Sequence, residues 1–217
     1  MVFTPRLSFT RRACLAAFAS ASVAPSVALA SPRGRVITVL GDSITAGHGL
    51  AAVDALPAQL SAALTRIGAG AQVRGAGVSG DTTADALARV DFSVQADSDL
   101  VLVELGGNDL LQGVEPAVVK ANLTAIVRRL KARRMEVVIA GMRAPPAIGR
   151  DYALAFDAVF PRVAKAENVR LYPYLLAGVA GVAGLNQGDG IHPNPAGVKI
   201  IAHQLAPVLA RALKTRP

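Results

Sequence analysis

The chain has 217 residues, one cysteine and a formal net charge of +8, and 52% of its residues are hydrophobic. That length suits one domain with a continuous core. A lone cysteine excludes a disulfide framework, and three histidines without a His-Glu-x-x-His pattern argue against a catalytic metal.

Residues 1–30 read as an export signal. Arg6, Arg11 and Arg12 form a positive start without an acidic residue, and Ala13 to Val27 is apolar. Ala28-Leu29-Ala30 then supplies a small-x-small cleavage pattern. "TRRACL" (Thr10 to Leu15) is similar to a twin-arginine signal, and an ordinary secretory signal with two adjacent arginines fits the same residues. Cys14 lacks the setting of a lipid-anchor cysteine. Cleavage near Ala30 removes three arginines and Cys14, so the remaining charge is +8 − 3 = +5. The expectation is a bacterial periplasmic or secreted protein, with a signal at 1–30 and a single domain at 31–217.

Val36 to Leu40 ("VITVL") reads as a buried parallel strand. Asp54 to Ile67 carries Leu56, Leu60, Ala63, Leu64 and Ile67 at helical spacing. Ala71 to Arg74 is a weak second strand, and Thr82 to Val90 a short helix with Asp81 as its cap. Leu100 to Glu104 is a third strand. Pro116 stands near the start of a helix whose buried stripe is Val119, Leu123, Ile126, Val127 and Leu130. Glu136 to Ala140 is a fourth strand, Tyr152 to Asn168 a helix interrupted or bent near Pro161, Val169 to Leu171 a fifth strand, and Pro195 to Leu213 the last helix. This alternation predicts an α/β domain with a parallel sheet and helices on both faces. Ligands in such domains bind outside the carboxyl ends of the strands.

Four turns at that edge carry reactive residue types. Ser43 lies in "GDSITAG", Gly80 in "GVSGDTTAD", Asn108 in "ELGGND", and Asp189 and His192 in "DGIHPN". A serine hydroxyl needs a base to take its proton, and histidine suits that work near neutral pH. A carboxylate must hold the imidazole, and Asp189 stands three residues before His192. The backbone N–H groups of Ser43 and Gly80 and the amide of Asn108 are candidate oxyanion donors. Taken alone, Ser43 reads as a helix-capping serine; its four partners favour the nucleophile. Ser79 is a rival, but Asp81 breaks the Gly-x-Ser-x-Gly pattern.

These blocks resemble those of the SGNH hydrolases, also called GDSL esterases, and most closely their bacterial arylesterases, acyl-thioesterases and lysophospholipases. The resemblance spans nearly all of the chain after residue 34. It implies a flavodoxin-like three-layer sandwich around a five-stranded parallel sheet. It also implies Ser43 as nucleophile, Asp189 and His192 as its partners, and Ser43, Gly80 and Asn108 as the oxyanion hole. No cofactor and no metal are expected. The expected substrates are carboxylic esters: aryl esters, lysophospholipids and acyl-thioesters. A carbohydrate O-acetylesterase and a non-catalytic binding protein on the same scaffold are the alternatives.

Substrate-pocket candidates are Ile44, Leu110, Leu111, Met142, Pro145, Ile148 and Ile191, each of which would equally serve as core. Asp42 is expected to orient the turn, Asp109 to stabilise its loop, and His48 to sit at the surface or pocket rim. The basic run Arg128 to Arg134 suits a helix C-terminus and an exposed face; attraction to a membrane surface is the sharper reading. No nucleic-acid partner is expected, and a monomer is the default.

Overall fold

The computed structural model describes residues 1–3 and 34–214. The expected export signal, beyond its first three residues, lies outside the described residues. The chain divides into two units, Met1–Arg33 and Gly34–Pro217, and all regular secondary structure among the described residues belongs to the second.

Its centre is one sheet of five parallel strands, in the order β2-β1-β3-β4-β5. β1 (Val36–Gly41) and β3 (Leu100–Glu104) are buried along their whole length, as strands covered on both faces must be. β4 (Glu136–Ala140) is buried except at its first residue. β2 (Gln72–Gly77) and β5 (Arg170–Tyr172) form the edges and are at most half-buried. Their weak signal in the sequence has that cause: an edge strand needs no continuous apolar run. The order reverses at β1, whose neighbours are β2 on one side and β3 on the other. Gly41, Gly77 and Glu104 stand in register there, so three loops leave the sheet side by side.

Among the described residues, eight α-helices accompany the sheet. α1 (Ser43–Ala46), α2 (Leu56–Arg66) and α3 (Thr83–Ser93) follow the first two strands. α4 (Gly107–Leu111) and α5 (Pro116–Ala132) follow β3. α6 (Arg150–Asp157) and α7 (Val159–Glu167) follow β4, and α8 (Pro195–Lys214) ends the fold. α2 packs on α8 as one layer; α3, α5 and α7 form the other. The whole predicted stripe of α5 is buried. Phe156 and Phe160, the largest fully buried side chains, meet edge to face with centroids 5.4 Å apart.

Three expectations need correction. Thr82, not Asp81, caps α3, in a reciprocal capping box with Asp85. The interruption expected near Pro161 in the helix over Tyr152 to Asn168 falls at Ala158, three residues earlier, and leaves two helices. Pro161 has no N–H to offer the carbonyl four residues earlier, at Asp157, where α6 ends. α1 and α4, of four and five residues, were not foreseen, since neither is long enough to show a period.

The basic run is largely engaged within the protein. Arg128 pairs with Glu167 at 2.9 Å, Arg129 with Asp91 at 3.2 Å, Lys131 with the carbonyl of Glu167, and Arg133 with that of Val94. These contacts clip α5 to α7 and to the end of α3, which favours the structural reading of the charge. Among the described residues no helix is long and apolar enough to cross a membrane.

Candidate active site

The site begins where β1 ends. A Cβ on Gly41 would lie 2.2 Å from Thr45 Oγ1 and 2.4 Å from Glu104 Oε2, so only glycine lets α1 fold back over the strand. Asp42, 2% exposed, caps α1 by accepting the N–H of Ile44 at 3.1 Å. Ser43 is then the first helical residue, and its N–H has no intrahelical acceptor. From below, Thr45 donates its hydroxyl to Glu104 at 2.6 Å. Glu104 is fully buried; burial first, and then the charge of Asp42, push its carboxyl well above the usual range. Burial also pushes Asp42 up to about 6.

His192 arrives from the other end of the chain. Gly190 takes a φ of +70°, which folds the Asp189 carboxylate back onto the loop. Asp189 Oδ1 accepts the N–H groups of Ile191 at 2.9 Å and His192 at 3.0 Å. Its Oδ2 lies 2.6 Å from His192 Nδ1. These bonds hold the Asp189 carboxyl far below its ordinary pKa, the His192 ring contributing most. The anion fixes the tautomer: Nδ1–H donates to Asp189, and Nε2 is left to accept from Ser43 Oγ, 2.8 Å away. Gln187 ties this loop to the segment after α1, donating to the carbonyls of His48 at 2.8 Å and Pro193 at 3.1 Å. His48 is exposed, with its ring 4.7 Å from that of His192.

Two further loops complete the edge. Gly80 has a φ of +91° and open space where a Cβ would stand. Asn108 donates its amide to the carbonyl of Asp81 at 2.9 Å and, at a longer 3.3 Å, to Asp42 Oδ2. Asp81 is anchored by Arg89, whose Nε lies 2.5 Å from its carboxylate. The other guanidinium nitrogens reach the carbonyls of Ala76 at 3.0 Å and Gly41 at 2.9 Å. One arginine therefore fastens the Gly80 loop to the ends of β1 and β2. Asp109 accepts the N–H and hydroxyl of Thr83 at 2.8 and 2.6 Å, joining α4 to α3.

A cleft of about 560 Å³ opens beside Ser43, Asn108 and His192. Its walls are largely apolar, with Ile44, Leu110, Leu111, Met142, Pro145 and Ile191 all contributing. Ile148 does not line it; that residue ends a short 3₁₀ turn and is 41% exposed. No group of three or more potential metal ligands occurs among the described residues.

The model of the GDSL-like lipase/acylhydrolase family matches residues 39–200. The chain belongs to that family. Among its GDSL relatives is esterase TesA of Pseudomonas aeruginosa, 39% identical over 160 residues, which are 73% of this chain and 80% of the relative. An arylesterase of Vibrio mimicus is 35% identical over 85% of this chain and 92% of its own length. Thioesterase 1/protease 1/lysophospholipase L1 of Escherichia coli is 37% identical over 78% of this chain and 81% of its own length. The crystal structure of TesA superposes with a TM-score of 0.77 at 37% identity, covering 82% of this chain and 99% of that one. The protein is thus a GDSL esterase of α/β architecture.

Within this GDSL fold, Ser43, Asn108, Asp189 and His192 come from three loops and meet at one edge. The sequence reading missed Arg89, Gln187, Thr45 and Glu104, which hold those loops. Arg89 and Gln187 gave no signal, since each is a single polar residue that also reaches a carbonyl far off in sequence, Gly41 for Arg89 and His48 for Gln187. Glu104 gave a faint one, as an acid closing an apolar strand.

Proposed function

We propose that this esterase works through an acyl-enzyme on Ser43. The hydrogen-bond chain Asp189–His192–Ser43, at 2.6 and 2.8 Å beside an apolar cleft, carries the proposal. Ser43 Oγ attacks the ester carbonyl while His192 Nε2 takes its proton, and Asp189 stabilises the imidazolium. The oxyanion is met by the N–H groups of Ser43 and Gly80, which have no acceptor among the described residues, and by Asn108. The bond from Asn108 to Asp81 aims the amide; its longer contact with Asp42 is the one an oxyanion replaces. His192 returns the proton to the leaving group, then activates water to release the acid. The apolar walls favour a medium acyl chain, and the names of the relatives point to aryl esters, lysophospholipids and acyl-thioesters as substrates. Residues 1–30 would direct the protein out of the cytoplasm and be removed near Ala30.

The test is hydrolysis of p-nitrophenyl esters from acetate to palmitate by wild type and Ser43→Ala. A rate that needs Ser43 and peaks at medium chains is expected, with Ser43→Ala lower by roughly 10³-fold or more. A rate confined to acetate would replace this substrate class with a carbohydrate O-acetylesterase. Full activity of Ser43→Ala would overturn the mechanism.

A further inference from the structure

Four ionisable side chains line the cleft: Asp42, His192, Arg143 and Tyr174. The first two belong to the machinery proposed above. Arg143 stands in the loop after β4, with its guanidinium carbon 5.3 Å from the centroid of the Tyr174 ring. That stacking holds a long side chain at low entropic cost and leaves its N–H edge free. No described residue accepts a hydrogen bond from Arg143 or forms an ion pair with it. The nearby carboxylate of Asp157 is turned elsewhere, accepting the N–H of Ala144 at 2.8 Å. Asp42 is buried beneath the site and occupied by Ile44 and Asn108. The Tyr174 hydroxyl is likewise unpartnered among the described residues, and burial raises its pKa, so it stays a neutral donor. An exposed guanidinium set over an aromatic ring and a phenol O–H, both without a hydrogen-bond partner among the described residues, suit an oxyanion such as a phosphate ester.

We propose that Arg143, held on Tyr174, is an anion subsite that directs this enzyme to esters carrying a phosphate group, the chemistry of lysophospholipids, over neutral esters of the same acyl chain. The inference rests on the esterase reading for its consequence in turnover, but not for binding. The apolar cleft takes the acyl chain and Ser43 the carbonyl. Arg143 takes the charged end of the alcohol portion.

The experiment compares kcat/KM for 1-lauroylglycerol and 1-lauroylglycerol 3-phosphate, both below their micellar concentrations, in wild type, Arg143→Lys and Arg143→Gln. The phosphate-to-neutral ratio should fall at least tenfold in Arg143→Gln and less in Arg143→Lys. In wild type it should fall as salt is raised. An equal loss on both esters, or no loss on either, would overturn the subsite. A second arm measures binding of dodecyl phosphate by calorimetry in Ser43→Ala, with and without Arg143→Gln. If neither ester is turned over, the esterase reading fails. A tenfold weakening of dodecyl phosphate by Arg143→Gln would then still uphold the subsite, and unchanged binding would refute it. Inorganic phosphate should compete poorly, since it has no chain for the apolar walls. Competition at equal concentration would make this a free-phosphate site and overturn the lipid-ester assignment.

Discussion

Asp42 precedes Ser43 in sequence and carries a buried carboxyl that water would hold more cheaply. It accepts the N–H of Ile44 and faces Glu104 on β3, Asp81 after β2, Asp109 on α4 and His192. Burial dominates, so its pKa rises from 3.8 to about 6. Between those two values the folded chain binds more protons than the unfolded one. Stability from this group is therefore present at low pH and is lost as pH rises through that window. The loss is on the order of 2–3 kcal/mol from a shift of this size. Unfolding in urea at pH 4 and pH 7 should show wild type losing stability relative to Asp42→Asn as pH rises. A difference that stays flat with pH would show that Asp42 titrates normally. An acid kept at such a cost makes sense where it sets the helix that presents Ser43, the proposed nucleophile.

At the scale of elements, the site depends on how tightly α1 lies against the strand ends. Gly77 closes β2, and a Cβ there would stand 2.5 Å from the backbone nitrogen of Ala46 and 2.7 Å from the carbonyl of Asp42. Both are backbone atoms with no rotamer to give. Gly77→Ala should therefore displace α1, costing about 1–3 kcal/mol of stability as overpacked sites do. Ester turnover should fall with it, because Ser43 moves relative to His192. Urea denaturation beside kcat on a medium-chain ester checks this, and wild-type values in both would show that α1 is free to shift. Capping, by contrast, was readable locally. Thr82 and Asp85 stand three apart as a capping box requires, although Asp81 looked like the cap. Asp81 is drawn off by Arg89, eight residues on in α3, a spacing that matches no capping pattern.

For the whole molecule, β1 and β3 meet at the point where the strand order reverses, and the loops leaving there form the site. If residues 1–30 are the export signal proposed above, removing them should leave the melting temperature within about 2 °C and ester turnover unchanged. Protein recovered from outside the cytoplasm should begin near Ser31. A shortened chain that fails to fold would show that the leader belongs to the domain, and an intact Met1 on exported protein would refute cleavage.

Much of the fold, and the residues proposed as the reactive set, were legible because both rest on local pattern. Short apolar runs specify buried strands, a 3.6-residue stripe specifies α5, and four blocks with their residue types announce Ser43, Asn108, Asp189 and His192. The sequence by itself determined the α/β class, the order of the central elements and the chemistry available. Only the tertiary structure decided which groups hold that chemistry in place. Arg89 spans 48 residues to Gly41, and His192 spans 149 to Ser43. It also decided that Ile148 leaves the cleft while Arg143, set over the ring of Tyr174, enters it. Hydrophobic period fixes which face of an element is buried; it carries no information about which polar side chains from distant loops will meet once those faces are packed.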